Sequence, residues 1–285
     1  MPTFNAERTN LSEQLSQFRA THAYKHLSIT GREWQYLISG RPDRDVLLLL
    51  PGAPGIAEMA FQLILRFEDS YRVLALSYPA YIETVEQLIA GIITLLDHEH
   101  IDAAHIVGGS YSGMIAQCLV RRYPQRVKKL ILDHTSPPAR KKARIYRLYN
   151  FFLVLLPLLC IRALLRRGNH LFSQGNTPQQ RFWRSYFDEV ITIFTKEDYL
   201  SRIRVCIDFY QNYRFTSEDT CFGPATLLII EAGNDSLVSV KERTALKALY
   251  PSAQVFTFSE TGHSAWAYQF DTFFSVIANF LEETL

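Results

Sequence analysis

The chain has 285 residues, 48% of them apolar and 20% charged, a globular composition in which disorder is not expected beyond the termini. Its four cysteines, at 118, 160, 206 and 221, lack CxxC spacing, so zinc and thioredoxin-like readings lack support and reduced thiols in a cytoplasmic protein are expected. The formal charge of +2 conceals an uneven distribution: ten Lys or Arg and no Asp or Glu lie between His134 and Phe187, which leaves the remainder of the chain acidic.

In chain order, the opening stretch MPTFNAERTNLSEQLSQF has no apolar core and reads as a polar helix rather than a signal peptide. WQYLI (Trp34–Ile38) alternates as a half-buried strand does. VLLLL (Val46–Leu50), VLAL (Val73–Leu76), HIV (His105–Val107), LIL (Leu130–Leu132) and LLII (Leu227–Ile230) are continuous apolar runs, the pattern of strands covered on both faces. Leu88, Ile92, Leu95 and Leu96 share one helical face, as do Phe273, Ile277, Phe280 and Leu281. Strands alternating with helices predict an α/β fold with a mostly parallel sheet flanked by helices.

That alternation breaks between about Pro137 and Phe222, a region rich in aromatics and arginine with no convincing strand. The expected organisation is a core formed by 1–136 and 223–285, interrupted by a helical lid insertion at 137–222. Its longest apolar run, FFLVLLPLLCI (Phe151–Ile161), contains Pro157 and falls short of the roughly 20 residues needed to span a bilayer. Three readings of the basic insertion stand: a solvated lid face, a binder of anionic groups, and a dock for an acidic membrane surface. The lid is preferred, with its greasy side over an acyl pocket. Phe151–Leu165 between RKKAR and RR also has the makings of an interfacial helix. Nucleic-acid binding is not expected, because the centre of the basic block is apolar.

HIVGGSYSGMIAQC (His105–Cys118) reads as a strand turning sharply into a helix, which exposes a serine on strained backbone. Gly108 precedes Ser110 by two residues, and Ser112 takes the +2 position where a glycine is usual, with Gly113 next. A serine needs a histidine to accept its proton, and that histidine needs a carboxylate to fix its tautomer. His263 follows Gly262 in the loop before the last helix, and Asp235 lies just past the Leu227–Ile230 strand. The order Ser, Asp, His and the placement beyond strand ends suit one site. Asp133, after the preceding strand, is the rival acid, and His134 beside it could line the pocket, although a structural role is the expectation. The backbone N–H groups of Ala53, in the Gly-rich turn LLLLPGAPG, and Tyr111 are the candidate oxyanion donors.

Together the Pro51-Gly52 loop, the 108–113 turn, the Asp235 loop and Gly262-His263 resemble the α/β-hydrolase family from about Tyr24 to the C-terminus, insertion excluded. YRVLALSYPAY, LLDHEHID and the LPG loop resemble its maspardin-like branch, which includes proteins valued as binding partners more than as established enzymes. The resemblance implies the α/β-hydrolase fold and triad roles for Ser110, Asp235 and His263, without a cofactor or metal. The expected activity is cleavage of a carboxylic ester or related carbonyl bond in a hydrophobic small molecule. Carbon–carbon cleavage or lyase chemistry by the same residues, and a non-catalytic or weakly catalytic interaction module, are the alternatives.

Overall fold

The computed structural model describes residues 10–172, 176–219 and 226–283; the first nine residues of the expected polar helix, Cys221 and the expected boundary at 222–223 lie outside them. Helix α1 (Leu11–Thr21) opens the described chain, its Asn10 side chain accepting from the Ser12 N–H. It leads into the hairpin of β1 (Lys25–Ile29) and β2 (Arg32–Ser39), whose turn uses left-handed backbone at Thr30 and Gly31. Then come β3 (Val46–Leu50), α2 (Phe61–Phe67), β4 (Arg72–Ser77), α3 (Val85–His98), β5 (Ala104–Gly109), α4 (Tyr111–Arg122) and β6 (Val127–Asp133). Four helices follow: α5 (Arg140–Leu155), α6 (Leu158–Phe172), α7 (Pro178–Ile193) and α8 (Lys196–Asn212). The chain returns to the sheet with β7 (Leu227–Ala232), α9 (Val240–Leu249), β8 (Gln254–Phe258), α10 (Ala265–Tyr268) and α11 (Phe270–Glu282).

The eight strands among the described residues form one sheet, ordered β1-β2-β4-β3-β5-β6-β7-β8. β1 and β2 pair antiparallel, β2 meets β4 antiparallel, and the other neighbours are parallel. The continuous apolar runs have the structural consequence expected of them. Leu48 and Leu50 of β3 face the core layer under α3, α4 and α8, whereas Leu47 and Leu49 face the opposite layer under α1, α2, α7 and α11. Neighbouring residues thus feed two cores, which is why polar–apolar alternation is missing from these strands. β1 and β8 have no such run. They lie at the sheet edges, where part of each strand stays exposed (KHLSI and QVFTF), and their pattern is correspondingly weaker.

Helix starts are set locally. Thr84, Thr177, Thr195 and Ser239 each accept from an N–H three residues on, and Gln87, Gln180, Asp198 and Glu242 bond back to the cap N–H. The end of α11 is closed by tertiary contact. The buried Lys129 ammonium of β6 donates to the carbonyls of Phe280 (2.7 Å), Leu281 (3.2 Å) and Glu283 (2.6 Å), at the negative end of α11.

α3 comes close to β2 because residue 91 has no side chain: a Cβ there would sit 2.0 Å from Trp34 Cζ2, and Trp34 is fully buried. Gly91→Ala should therefore destabilise the fold by roughly 1–3 kcal/mol, despite alanine's better helix propensity. Denaturant unfolding of the two proteins measures it, and an unchanged or raised stability would contradict this packing.

Candidate active site

Hydrogen-bond register brings the carboxyl ends of four parallel strands together. Leu50 of β3 pairs with Gly108 of β5, Gly109 with Asp133 of β6, and Asp133 with Ile230 of β7. Asp133 at the end of β6 and the loops carrying Ala53, Ser110 and Asp235 therefore share the same edge of the sheet, where open α/β sheets place their sites.

Ser110 stands between β5 and α4 with φ 51° and ψ −112°, a conformation that costs a non-glycine residue about 1–3 kcal/mol. Neighbouring chain holds it: its N–H donates to the Asp133 carbonyl (2.7 Å), and the Thr135 hydroxyl donates to its carbonyl (2.8 Å). The turn is too crowded for larger residues. A Cβ on Gly108 would lie 2.9 Å from the Ser112 carbonyl oxygen, and one on Gly113 would lie 2.6 Å from Thr135 Cβ. Ser112, the departure from the usual glycine, is fully buried, and its hydroxyl reaches the carbonyls of Leu50 (2.9 Å) and Gly109 (3.0 Å). Serine fits there because acceptors await its hydroxyl, and it ties β3 to the turn.

Around Ser110 the three distant side chains form one hydrogen-bonded run. His263 Nε2 lies 2.9 Å from Ser110 Oγ, and Nδ1 lies 2.8 Å from Asp235 Oδ2. A neutral imidazole that donates from Nδ1 to the carboxylate accepts the serine proton at Nε2, the geometry of a base ready to activate a hydroxyl. Asp235 Oδ1 also accepts from the N–H groups of Leu237 (2.8 Å) and Val238 (3.0 Å). Burial alone would raise the Asp235 pKa. The hydrogen bond and charge of His263 and the two N–H donors outweigh it, so the carboxyl lies below its ordinary value.

Two supports of this run carry no local sequence signature. Asn234 Oδ1 accepts from the N–H of Gly262 (2.8 Å), whose φ is +59°, and so joins the acid loop to the histidine loop. The buried Arg243 donates to the carbonyls of Val238 (2.7 Å) and Gly233 (2.9 Å), closing the Asp235 loop from α9. Both act across distance in the chain, and only a motif written in three dimensions could reveal them.

Asp133 and His134 belong to a second pair. Asp133 Oδ1 is 2.5 Å from His134 Nδ1, and both residues are buried. The carboxylate of the rival acid is thus engaged by its own neighbour. The His134 ring sits edge-on to that of His263, centroids 5.6 Å apart, so it underlies the site rather than lining a pocket.

Of the oxyanion candidates, Tyr111 is the first residue of α4, and Ala53 sits in the loop that leaves β3 beside Gly108. Neither N–H has an acceptor among the described residues. Arg202 of α8 packs over this loop: it donates to the carbonyls of Tyr78 (2.7 Å) and Pro79 (3.1 Å), and a Cβ on Gly55 would lie 2.5 Å from its Nη2. On the other side, Trp266 of α10 packs edge-on against Trp183 of α7 at 4.6 Å. The helices between β6 and β7 therefore brace both the 51–55 loop and the His263 loop. Among the described residues no group of three or more His, Cys, Asp or Glu is arranged to hold a metal ion.

Burial opposes the charged form of His134, but the charge and hydrogen bond of Asp133, helped by the charge of Asp235 and a backbone contact to Gly262, outweigh it and raise the pKa. A raised folded-state pKa stabilises the fold fully below the unfolded value of about 6.5, and that stabilisation disappears as pH climbs through the folded value. His134→Gln should therefore cost more unfolding free energy near pH 6 than near pH 9. Paired denaturant titrations across that range check this; a cost independent of pH would show that the pair gains nothing from protonation.

The family model for the alpha/beta hydrolase fold matches residues 45–267. Among curated proteins, the chain is 28% identical to Epoxide hydrolase 4 of Mus musculus over 153 residues, 47% of this chain and 43% of that protein. It is 35% identical to maspardin of Rattus norvegicus over 112 residues, 38% of this chain and 42% of that protein. The chain thus matches less than half the length of either relative. Among solved structures, an enol-lactonase from Burkholderia xenovorans superposes with a TM-score of 0.74 at 17% identity, over 91% of this chain and 100% of that one. Likeness at that identity speaks for the fold alone. With the family model extending from β3 through the loop that carries His263, the chain belongs to the alpha/beta hydrolase fold family.

Proposed function

We propose that this chain is a serine hydrolase that cleaves a carboxylic ester or related carbonyl bond of a hydrophobic small molecule. The observation that carries the reading is the unbroken hydrogen-bonded run from Asp235 through His263 to Ser110. In this mechanism Ser110 Oγ attacks the carbonyl carbon as its proton passes to His263 Nε2. The resulting oxyanion is held by the N–H groups of Ala53 and Tyr111. The tetrahedral species collapses to an acyl-enzyme, and the departing alkoxide takes the proton from His263. Water then attacks the acyl carbon, losing its proton to His263, which passes it to Ser110 Oγ as the acid leaves. Asp235 keeps the imidazole in its working tautomer and stabilises the imidazolium.

In this reading α5–α8 act as a lid on the core built from 1–136 and 223–285. The partly exposed rings of Phe182, Phe187 and Trp266 beside the His263 loop favour a hydrophobic acyl or aromatic substrate. Cys118, Cys160 and Cys206 are free thiols, in keeping with work in the cytoplasm.

A second reading rests on the maspardin likeness: the same fold serves as an interaction module with a slow or idle triad. Ser112, standing where a glycine is usual, does not favour that reading, because its hydroxyl has a structural use of its own. A fluorophosphonate probe separates the two: the folded protein should label at Ser110, and Ser110→Ala should not. A well-folded protein that stays unlabelled favours the module. With a series of p-nitrophenyl esters of rising chain length, Asp235→Asn should lower kcat by about ten-thousand-fold. Asp133→Asn should stay within about tenfold of the parent, because its partner is His134. Equal losses in the two variants would overturn the assignment of the acid.

A further inference from the structure

The apolar residues of α7 and α8 are mostly turned inward, including Trp183, Tyr186, Val190, Leu200, Val205 and Phe209. The junction of α5 and α6 is the opposite. Phe151 (58%), Phe152 (52%), Leu155 (65%), Leu159 (76%) and Leu164 (60%) all stand out from the surface. The extended backbone of Leu156 ends α5, and Pro157 precedes α6, so the two apolar helix ends meet at a corner. Exposed apolar area of this kind marks an interaction surface rather than the scatter normal on a soluble protein.

Charge surrounds the corner in a particular way. The far end of α5 carries Arg140, Lys141 and Arg144, and the far part of α6 carries Arg166 and Arg167, all exposed. Arg140, Lys141, Arg144 and Arg167 have no acidic partner among the described residues, and no Asp or Glu occurs between His134 and Phe187. Arg144 is eleven residues from Leu155, about 16 Å along the helix. A helix lying in the plane of a bilayer surface presents both at once, leucine and phenylalanine at the acyl boundary and arginine among the headgroups. A second copy of this chain suits the face less well, because a two-fold contact would bring the unpaired cations of each copy toward those of the other. No helix among the described residues is long and apolar enough to cross a membrane, so contact would be peripheral.

We propose that the α5–α6 corner is a docking surface for an anionic phospholipid bilayer, with the exposed Phe and Leu side chains inserted shallowly and the flanking arginines and lysine on the headgroups. This surface is independent of the chemistry at Ser110, so it stands or falls separately from the hydrolase reading.

The test is co-sedimentation of the full chain with vesicles of phosphatidylcholine alone and of about three parts phosphatidylcholine to one part phosphatidylserine, at low and high salt. The parent protein should be retained by the anionic vesicles at low salt and released as salt rises. Arg144→Ala with Arg167→Ala should weaken retention about fivefold for each cation removed. Phe152→Ser with Leu159→Ser should weaken it as well, with the cations intact. All four positions are exposed, and circular dichroism verifies that the variants fold. No retention on anionic vesicles, equal retention on neutral ones, or retention indifferent to Phe152→Ser with Leu159→Ser would overturn the proposal. Dimerisation in solution that is abolished by the same apolar pair would assign the corner to a second copy and overturn it too.

Discussion

The strained backbone of Ser110 is the point on which the site depends. A left-handed, non-glycine residue between a buried strand and a buried helix survives only where its surroundings over-determine it. Here β6 and the residues just past it supply both restraints, the Asp133 carbonyl for the N–H of Ser110 and the Thr135 hydroxyl for its carbonyl. Small residues at 108, 109 and 113 admit the close approach, Gly109 standing against the Asp133 carboxylate. Because the restraint comes from the neighbouring strand, the orientation of the hydroxyl and the register of the sheet are one structural fact.

The imidazole is positioned by a separate set of contacts. Gly262 turns the chain, Asn234 fastens that turn to the acid loop, and Arg243 fastens the acid loop to α9. Beneath His263 lies the buried Asp133–His134 pair, which gives the carboxyl edge of β6 a polar floor while leaving Asp235 as the acid bonded to His263. Two carboxylates at adjacent strand ends are thus separated by partner: one takes the nearer imidazole, the other the one facing the serine.

The helices between β6 and β7 bear on this arrangement from above. Arg202 lies against Gly55 of the 51–55 loop while donating to the carbonyls of Tyr78 and Pro79 just past β4, and Trp183 packs on Trp266 three residues after His263. Their inward faces are spent on these contacts. The outward faces of α5 and α6 keep apolar side chains in the open, with cations beyond them, an unbalanced surface for a helix that had only water to meet.

Much of this was legible in the residues alone. Runs such as Val46–Leu50 and Leu227–Ile230 reveal doubly covered strands because burial on both faces erases alternation, and the Gly-x-Ser turn and Gly262-His263 are local patterns that need no partner to be recognised. Ser110, His263 and Asp235 could be named because each follows a strand in a fixed order. β1 escaped notice because an edge strand need not be apolar throughout, and the uses of Ser112, Asn234, Arg243 and Lys129 are contacts with carbonyls and N–H groups far away in the chain. The choice between Asp133 and Asp235 was likewise open in one dimension. Local periodicity and turn chemistry determine which elements form and in what order, since they act over a few residues; which carboxylate meets which imidazole is decided only by the register of parallel strands whose partners are distant in sequence.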